Sequence, residues 1–480
     1  MRIHEGAFER VALRCGSEQR TYRQLIDVVK SKVNELDRLA CIRKRVVVDL
    51  PDSFTMLEWV YALWQRENSL LLLDPRLTAA EKADRERMFR PEAGVSVQNG
   101  VASAAFGVFS PQVDAELALY HVEEQISQTE SPEQDALIQF SSGSSGIPKM
   151  IVRSKHSILA ELEDYATEPY SPGTDSMVLC LVPLCHSFGL LSSAIHTLSH
   201  GGTLVFPEML KPGIIMQTIV EQQITHVYGV AFHYQLLANE WDKQLETEHR
   251  WHPELRLLCS GGPFPETLLQ TMLSRGLPVG QQYGMSEVGY IAVQWSGLPI
   301  GSVGSIAKRL QAEVTDEGEL VLALNQSPYR FEQAQWVPHS GTDREAYAGG
   351  RLFTQDLVSL DELGRLYIGK RKNDQVSIGG LKVAISEIEQ VLRTHPQIVD
   401  ACVVSYEQPS SGTVLEAFVV SHEAAELAES IIKEWLSDRL ARYKIPRRIR
   451  FINEIPVSPA GKIIRGVLLK EYCHEPAAAN

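Results

Sequence analysis

The run Gln139-Phe140-Ser141-Ser142-Gly143-Ser144-Ser145-Gly146-Ile147-Pro148-Lys149 holds the densest chemistry in the chain. Four serines alternate with two glycines and end in Pro-Lys. Glycine lets a backbone approach a ligand closely and takes up positive φ without strain. Serine hydroxyls and unpaired backbone N–H groups then become donors to phosphate oxygens. Lys149 adds a point charge suited to terminal phosphates. A strand-like stretch, 136–140, leads into the segment, and a helix is expected at 157–165. That is the setting of a phosphate-binding loop. It is not the common P-loop, in which the second glycine is followed at once by Lys and Ser or Thr. A Ser/Gly linker is the plain alternative.

Other segments supply groups that such a loop would need beside it. Gln282-Tyr283-Gly284-Met285-Ser286-Glu287 follows an expected strand at 277–281. Tyr283 offers a flat face for a purine. Gly284 leaves room for the backbone, Ser286 can donate to a phosphate, and Glu287 can hold Mg2+ bound to ATP. Ser260-Gly261-Gly262-Pro263 reads as a strand-to-helix turn. In Phe353-Thr354-Gln355-Asp356-Leu357 an ionised carboxylate, which only accepts hydrogen bonds, would suit a diol. Near the C-terminus, Gly461 permits a tight turn that presents Lys462 within Pro456-Val457-Ser458-Pro459-Ala460-Gly461-Lys462.

These groups need a scaffold, and the patterning implies one. Strand-like runs at 45–50, 69–73, 177–182, 203–206, 226–230 and 255–260 alternate with helical patterns at 53–64, 211–221 and 265–274. Such alternation predicts α/β layers with largely parallel sheets. After Gly301 the pieces shorten, with strands expected at 319–324, 351–354 and 365–368. The charged bridge Lys370-Arg371-Lys372-Asn373-Asp374 then leads into a unit the size of a small domain. In it, helices are expected at 385–393 and 424–440, and strands at 401–405 and 414–420. We place the domains at 1–370 and 371–480.

Composition narrows the function. A net charge of −14 argues against a nucleic-acid partner, which needs a basic footprint. Seven scattered cysteines without a Cys-x-x-Cys spacing fit reduced thiols in a cytoplasmic protein. His196 and His200 lack the companions of a zinc site. No secretory leader or transmembrane segment is evident.

Taken in order, the motifs resemble those of the adenylate-forming superfamily, which includes acyl-CoA synthetases, luciferases and peptide-synthetase adenylation domains. The resemblance spans about residues 22–470. It implies a large N-terminal domain of layered α/β subdomains with a β-barrel-like subdomain, and a small, mobile α+β C-terminal domain. It further implies that Ser141, Ser142, Gly143, Ser144, Ser145, Gly146 and Lys149 hold the ATP phosphates. Gly261 and Gly262 would lie along the adenine and the acyl carbonyl. Gln282, Tyr283, Gly284, Met285 and Ser286 would complete the nucleotide site. Asp356 and Arg371 would bind the ribose, Glu287 would hold Mg2+, and Lys462 would be the catalytic lysine. Gly379 and Gly380 would line the thiol channel after domain rotation. The chain departs from the family at Met150, Gln355 and Asn373, where glycine, glycine and aspartate are usual.

The implied reaction joins a carboxylic acid to AMP and passes the acyl group to a thiol. ATP, Mg2+ and CoA are the expected co-substrates and cofactor, with an acyl-carrier protein as the alternative acceptor. The run Pro183-Leu184-Cys185-His186-Ser187-Phe188-Gly189 has no acidic residue to receive an α-ammonium group and resembles fatty-acyl ligases. His186 is expected near the carboxylate. Phe188, Gly189, Tyr228, Gly229 and Phe232 are expected as pocket walls, with the two glycines leaving space for an extended medium or long chain. A non-catalytic nucleotide-binding regulator is the remaining alternative. Losing one preorganised donor typically costs about 10²–10³ in kcat. Lys462→Ala should therefore slow the adenylation half-reaction by that order in a pyrophosphate-exchange assay, and preserved exchange would remove Lys462 from this role.

Overall fold

A computed structural model describes residues 3–75, 77, 79–97, 115–119, 135–141, 149–244, 251–262, 264–329, 346–371, 375–378, 381–408, 412–422, 427–440, 442–458 and 463–472. Its contacts group the chain into two compact units. The first comprises 1–311, 323–351 and 360–367; the second comprises 312–322, 352–359 and 368–480. Residues 312–322 and 352–359 thus group with the C-terminal residues, whereas the sequence division at 370/371 assigns them to the N-terminal domain. Asp356 is among them.

The first unit is layered α/β. One sheet has six strands in the order Ala115–Leu119, Ala93–Val97, Arg45–Asp49, Ser69–Leu72, Asp135–Ser141 and Lys149–Ser154. Its four central strands are parallel and its two edge strands antiparallel. A second sheet runs in parallel through Val11–Cys15, Thr203–Phe206, Met177–Cys180, His226–Gly229, Arg256–Cys259 and Val279–Met285. It then turns antiparallel through Gly289–Gln294 and Ser302–Ile306. Among these, Met177–Cys180, Thr203–Phe206 and Arg256–Cys259 are near-continuous apolar runs, as strands covered on both faces are.

The helix Phe54–Gln65 shows how completely that covering works. Every residue from Phe54 to Trp64 is buried. A helix that is apolar all round belongs inside a protein. Ser53 caps it by accepting from the Met56 N–H at 3.0 Å. The one acid on it, Glu58, ion-pairs with Arg20 at 2.9 Å and lies 3.9 Å from Lys32. Burial still pushes the Glu58 carboxyl above its usual value. By contrast, the helix Tyr22–Arg38 is amphipathic, burying Tyr22, Leu25, Val29, Val33 and Leu36 at helical spacing. A full capping box at Thr21 and Gln24 starts it.

The second unit carries the antiparallel pair Ala312–Val314 and Glu319–Ala323. It also has a two-stranded sheet, Gln375–Ile378 with Leu381–Ala384. In its three-stranded sheet Ile398–Gln408 is antiparallel to Gly412–Ser421, which is parallel to Arg448–Phe451. The helices Ile385–Arg393 and Glu429–Ser437 pack Ile388, Leu392, Ile432 and Leu436 into its core. The helix expected at 424–440 is thus shorter than its pattern. The short strand expected at 351–354 is the ten-residue Arg351–Leu360.

Three histidines, two of them buried and His233 partly so, tie the first unit to pH. His196 is stacked on His200 at 4.3 Å and bonded to the Pro172 carbonyl oxygen at 3.1 Å. Burial lowers the rings of His196, His226 and His233 from 6.5 to about 3, 4 and 4. In the unfolded chain they take protons near 6.5, so acid favours unfolding. Their contribution is complete above about pH 6.5 and is lost as pH falls toward about 4. The urea midpoint should drop across that window, and His226→Gln should flatten the drop. A midpoint constant from pH 7 to 4 would contradict this account.

Candidate active site

The two ends of the Ser/Gly loop are brought face to face. Ser141 ends one strand, Lys149 begins the next, and the two pair directly in antiparallel register. Residues 142–148, which include Ser142, Gly143, Ser144, Ser145 and Gly146, lie outside the described residues, as do 379–380 (Gly379 and Gly380) and 462 (Lys462). The expected strand–loop–helix order is corrected. A strand, Lys149–Ser154, intervenes before the helix Lys155–Tyr165. The reason lies in its alternation: Ile151 and Arg153 point inward, at 0% and 1% exposure, while Met150 and Val152 are only half-buried. Ser154 then caps the helix by accepting from the Ser157 N–H at 3.1 Å.

The Tyr-Gly segment completes the strand Val279–Met285, and Ser286 and Glu287 occupy the turn into Gly289–Gln294. Gly284 sits at a register shift in that hairpin. A Cβ there would lie 2.7 Å from the Gly289 carbonyl oxygen, so the close strand approach requires glycine. Gln282 is buried and its amide donates to Ser192 Oγ at 3.0 Å, which makes it a packing residue in this structure. Tyr283, Met285, Ser286 and Glu287 are partly exposed.

Three groups hold the Glu287 turn. Arg153 Nη2 donates to Glu161 Oε2 at 2.8 Å in a fully buried ion pair. Glu161 Oε1 accepts from the Tyr290 N–H at 3.0 Å. Arg309 Nη2 donates to the Val288 carbonyl oxygen at 2.7 Å and to that of Tyr290 at 2.5 Å. Finally, the Tyr329 hydroxyl donates to Glu287 Oε1 at 2.9 Å. Sequence reasoning missed Glu161, Arg309 and Tyr329, whose distance along the chain from Glu287 conceals their contact with its turn.

A second group surrounds His186. The Gln139 amide donates to the Cys185 carbonyl oxygen at 3.1 Å, and its Oε1 accepts from Ser187 at 2.6 Å. Asp52 accepts from the Leu184 N–H at 2.9 Å. The turn bearing His186 is therefore fixed from both sides. His186 Nε2 lies 3.9 Å from the buried Asp74 carboxylate, and its side chain remains 42% exposed. Asp74, Cys185 and His186 offer donor atoms within 4.8 Å of one another.

The proposed pocket walls divide. The Phe188 ring lies 5.3 Å from that of Tyr228, whose buried hydroxyl is 2.9 Å from that of Tyr165. Phe232 is 65% exposed on the helix Ala231–Gln244. At the two expected glycines the position a side chain would take is occupied by protein. A Cβ on Gly189 would lie 2.3 Å from the Pro183 carbonyl oxygen, and one on Gly229 would lie 3.0 Å from the Tyr234 ring. Their missing side chains admit neighbouring backbone and an aromatic ring. The Gly261-Gly262 turn differs: it is exposed, and a Cβ on Gly261 would meet only Val230, at 3.5 Å.

Asp356 belongs to the second unit and is buried in Arg351–Leu360. Beside it, Gln355 takes φ +61, the conformation glycine would adopt freely. Its N–H donates to Glu319 Oε1 at 2.9 Å, which anchors the strained residue. Arg371 ends the strand Arg365–Arg371.

Comparisons with known proteins agree with this arrangement. Residues 3–325 match the AMP-binding enzyme family, and residues 387–462 match the AMP-binding enzyme C-terminal domain. A 2-succinylbenzoate–CoA ligase of Geobacillus kaustophilus is 28% identical, covering 95% of this chain and 94% of its own length. A feruloyl-CoA synthase of Amycolatopsis sp is 26% identical, with 70% of each chain covered. The solved O-succinylbenzoate coenzyme A synthetase of Bacillus subtilis, in complex with AMP, has the same fold, with a TM-score of 0.76, 21% identity and coverage of 97% and 96%.

Overpacking against backbone costs about 1–3 kcal/mol. Gly189→Ala should lower the unfolding free energy by that amount in urea titration, and an unchanged value would mean that the Pro183 turn yields. The family match over 3–325, together with the loop, the Glu287 turn and the C-terminal match over 387–462, makes this chain a member of the AMP-binding enzyme family.

Proposed function

We propose that this chain is an AMP-forming acid–thiol ligase that activates an aromatic carboxylic acid and transfers it to CoA. The observation that carries the ligase reading is the family match over 3–325, with Glu287 held in a partly exposed turn beside the strand that leaves the Ser/Gly loop. The aromatic reading replaces the aliphatic expectation. It rests on two supports: the filled space at Gly189 and Gly229, and the relatives named for 2-succinylbenzoate and ferulate. The Phe188–Tyr228 pair offers the offset or edge contacts that a flat acid favours.

A carboxylate is a poor electrophile, and adenylation makes it a good one. The acid's oxygen attacks the α-phosphorus of ATP, an O–P bond forms, and the bond to the β-phosphate breaks, releasing pyrophosphate. The thiol sulfur then attacks the acyl carbon, the bond to AMP breaks, and the thiol proton passes to solvent. Such catalysis is mostly positioning and charge neutralisation. In this reading the loop from Ser141 to Lys149 holds the β- and γ-phosphates. His186 orients the acid's carboxylate, Asp356 and Arg371 bind the ribose, and Lys462 bridges the carboxylate and an α-phosphate oxygen. Glu287, an ionisable oxygen donor in a partly exposed turn, suits a hard cation. Mg2+ held there would neutralise phosphate charge.

The proposal is tested by AMP release with ATP, Mg2+ and a panel of aryl and aliphatic acids, with and without CoA. CoA-dependent turnover is expected to be highest with aryl acids. Faster turnover of decanoate than of any aryl acid would overturn the substrate class. Pyrophosphate exchange without CoA-dependent turnover would transfer the acceptor role to a carrier protein.

A further inference from the structure

We propose that Tyr329 is a positioning residue for the Glu287 carboxylate, and that through it the strand leaving the Ser/Gly loop fixes where the metal bound to ATP is held. The inference rests on the reading of Glu287 given above. A glutamate in a turn has three side-chain torsions to settle, and most of its rotamers would point its oxygens away from a ligand. The Tyr329 hydroxyl donates to Oε1 at 2.9 Å. An outer hydrogen bond of this kind orients a ligating carboxylate and sets its basicity.

Tyr329 is itself held rigidly. It is 7% exposed. Its N–H donates to Ser327 Oγ at 3.1 Å. It forms an isolated antiparallel bridge with Ile151, and the Val152 N–H donates to the Pro328 carbonyl oxygen at 2.8 Å. Ile151 lies two residues along the strand from Lys149, where the loop ends. Tyr329 therefore rides on the loop's exit strand and reaches across to the Glu287 turn.

The same strand holds that turn a second time. Arg153, two residues beyond Ile151 and on the same buried face, pairs with Glu161, which accepts from the Tyr290 N–H. One arm thus fixes the backbone after Glu287, and the other fixes its carboxylate. Phosphate and metal groups are placed by a single strand, so a ligand bridging them meets a preset separation.

Tyr329→Phe removes one oxygen and leaves the ring. Calorimetry of a non-hydrolysable ATP analogue, with and without Mg2+, gives the ratio by which the metal strengthens binding. Outer partners of metal ligands typically contribute 10–100-fold to metal affinity or activity. Tyr329→Phe should reduce the ratio by about ten-fold while leaving metal-free binding within a factor of about two. Glu287→Gln should reduce it at least as far, and the double variant should match Glu287→Gln alone. If Glu287→Gln lowers the ratio and Tyr329→Phe does not, the positioning role falls and the Glu287 reading stands. If Glu287→Gln leaves the ratio unchanged, the metal reading falls and this inference with it. Equal loss of metal-free binding in Tyr329→Phe would assign the tyrosine to the fold rather than to the carboxylate.

Discussion

The buried Arg153–Glu161 ion pair is the constraint around which the first unit's chemistry is arranged. Taking two charges out of water costs several kcal/mol per ion, and their attraction repays it only when the remaining polar atoms are also bonded. Here most of them are, although the buried Arg153 Nη1 finds no hydrogen-bond partner among the described residues. Arg153 Nε donates to Ser157 Oγ at 2.9 Å, and Glu161 spends its second oxygen on the Tyr290 N–H. Gly289 has to be glycine in this setting. Its φ is +77, and a Cβ would fall 2.1 Å from the Glu161 carboxylate. One pair therefore locks a strand, a helix and a hairpin turn into a single geometry.

That lock explains why the Ser/Gly loop is built as a strand-to-strand connection. Ser141 and Lys149 stand opposite each other in a ladder, so the loop's ends are fixed by backbone hydrogen bonds on both sides. The strand that receives Lys149 also carries Ile151 and Arg153, the two buried residues that hold Tyr329 and Glu161 against the Glu287 turn.

The turn bearing His186 follows a different logic. It is held by Gln139, which comes from the strand that ends in Ser141. The turn bearing His186 and the start of the loop thus share one support. Around it, apparent gaps in the sequence are contact points in the fold. Gly189 and Gly229 admit the Pro183 carbonyl and the Tyr234 ring.

Much of this was legible in the residues alone. Apolar runs bounded by turn residues located Thr203–Phe206 to the residue, and helical spacing did the same for Ile385–Arg393, because periodicity is local information. The Ser/Gly loop, the Tyr-Gly-Met-Ser-Glu turn and their order identified the family for the same reason. The tertiary structure decided what depends on distant pairings. It made residues 149–154 a strand, since only pairing with 135–141 gives that short run its partners. It set Gln355 at positive φ by anchoring its N–H on Glu319. It brought Tyr329 onto Glu287 and Glu161 onto Tyr290, and it filled the space beside Gly189. Sequence spacing carries no record of such contacts, because a side chain's partner across a sheet is fixed by register and packing rather than by its neighbours along the chain.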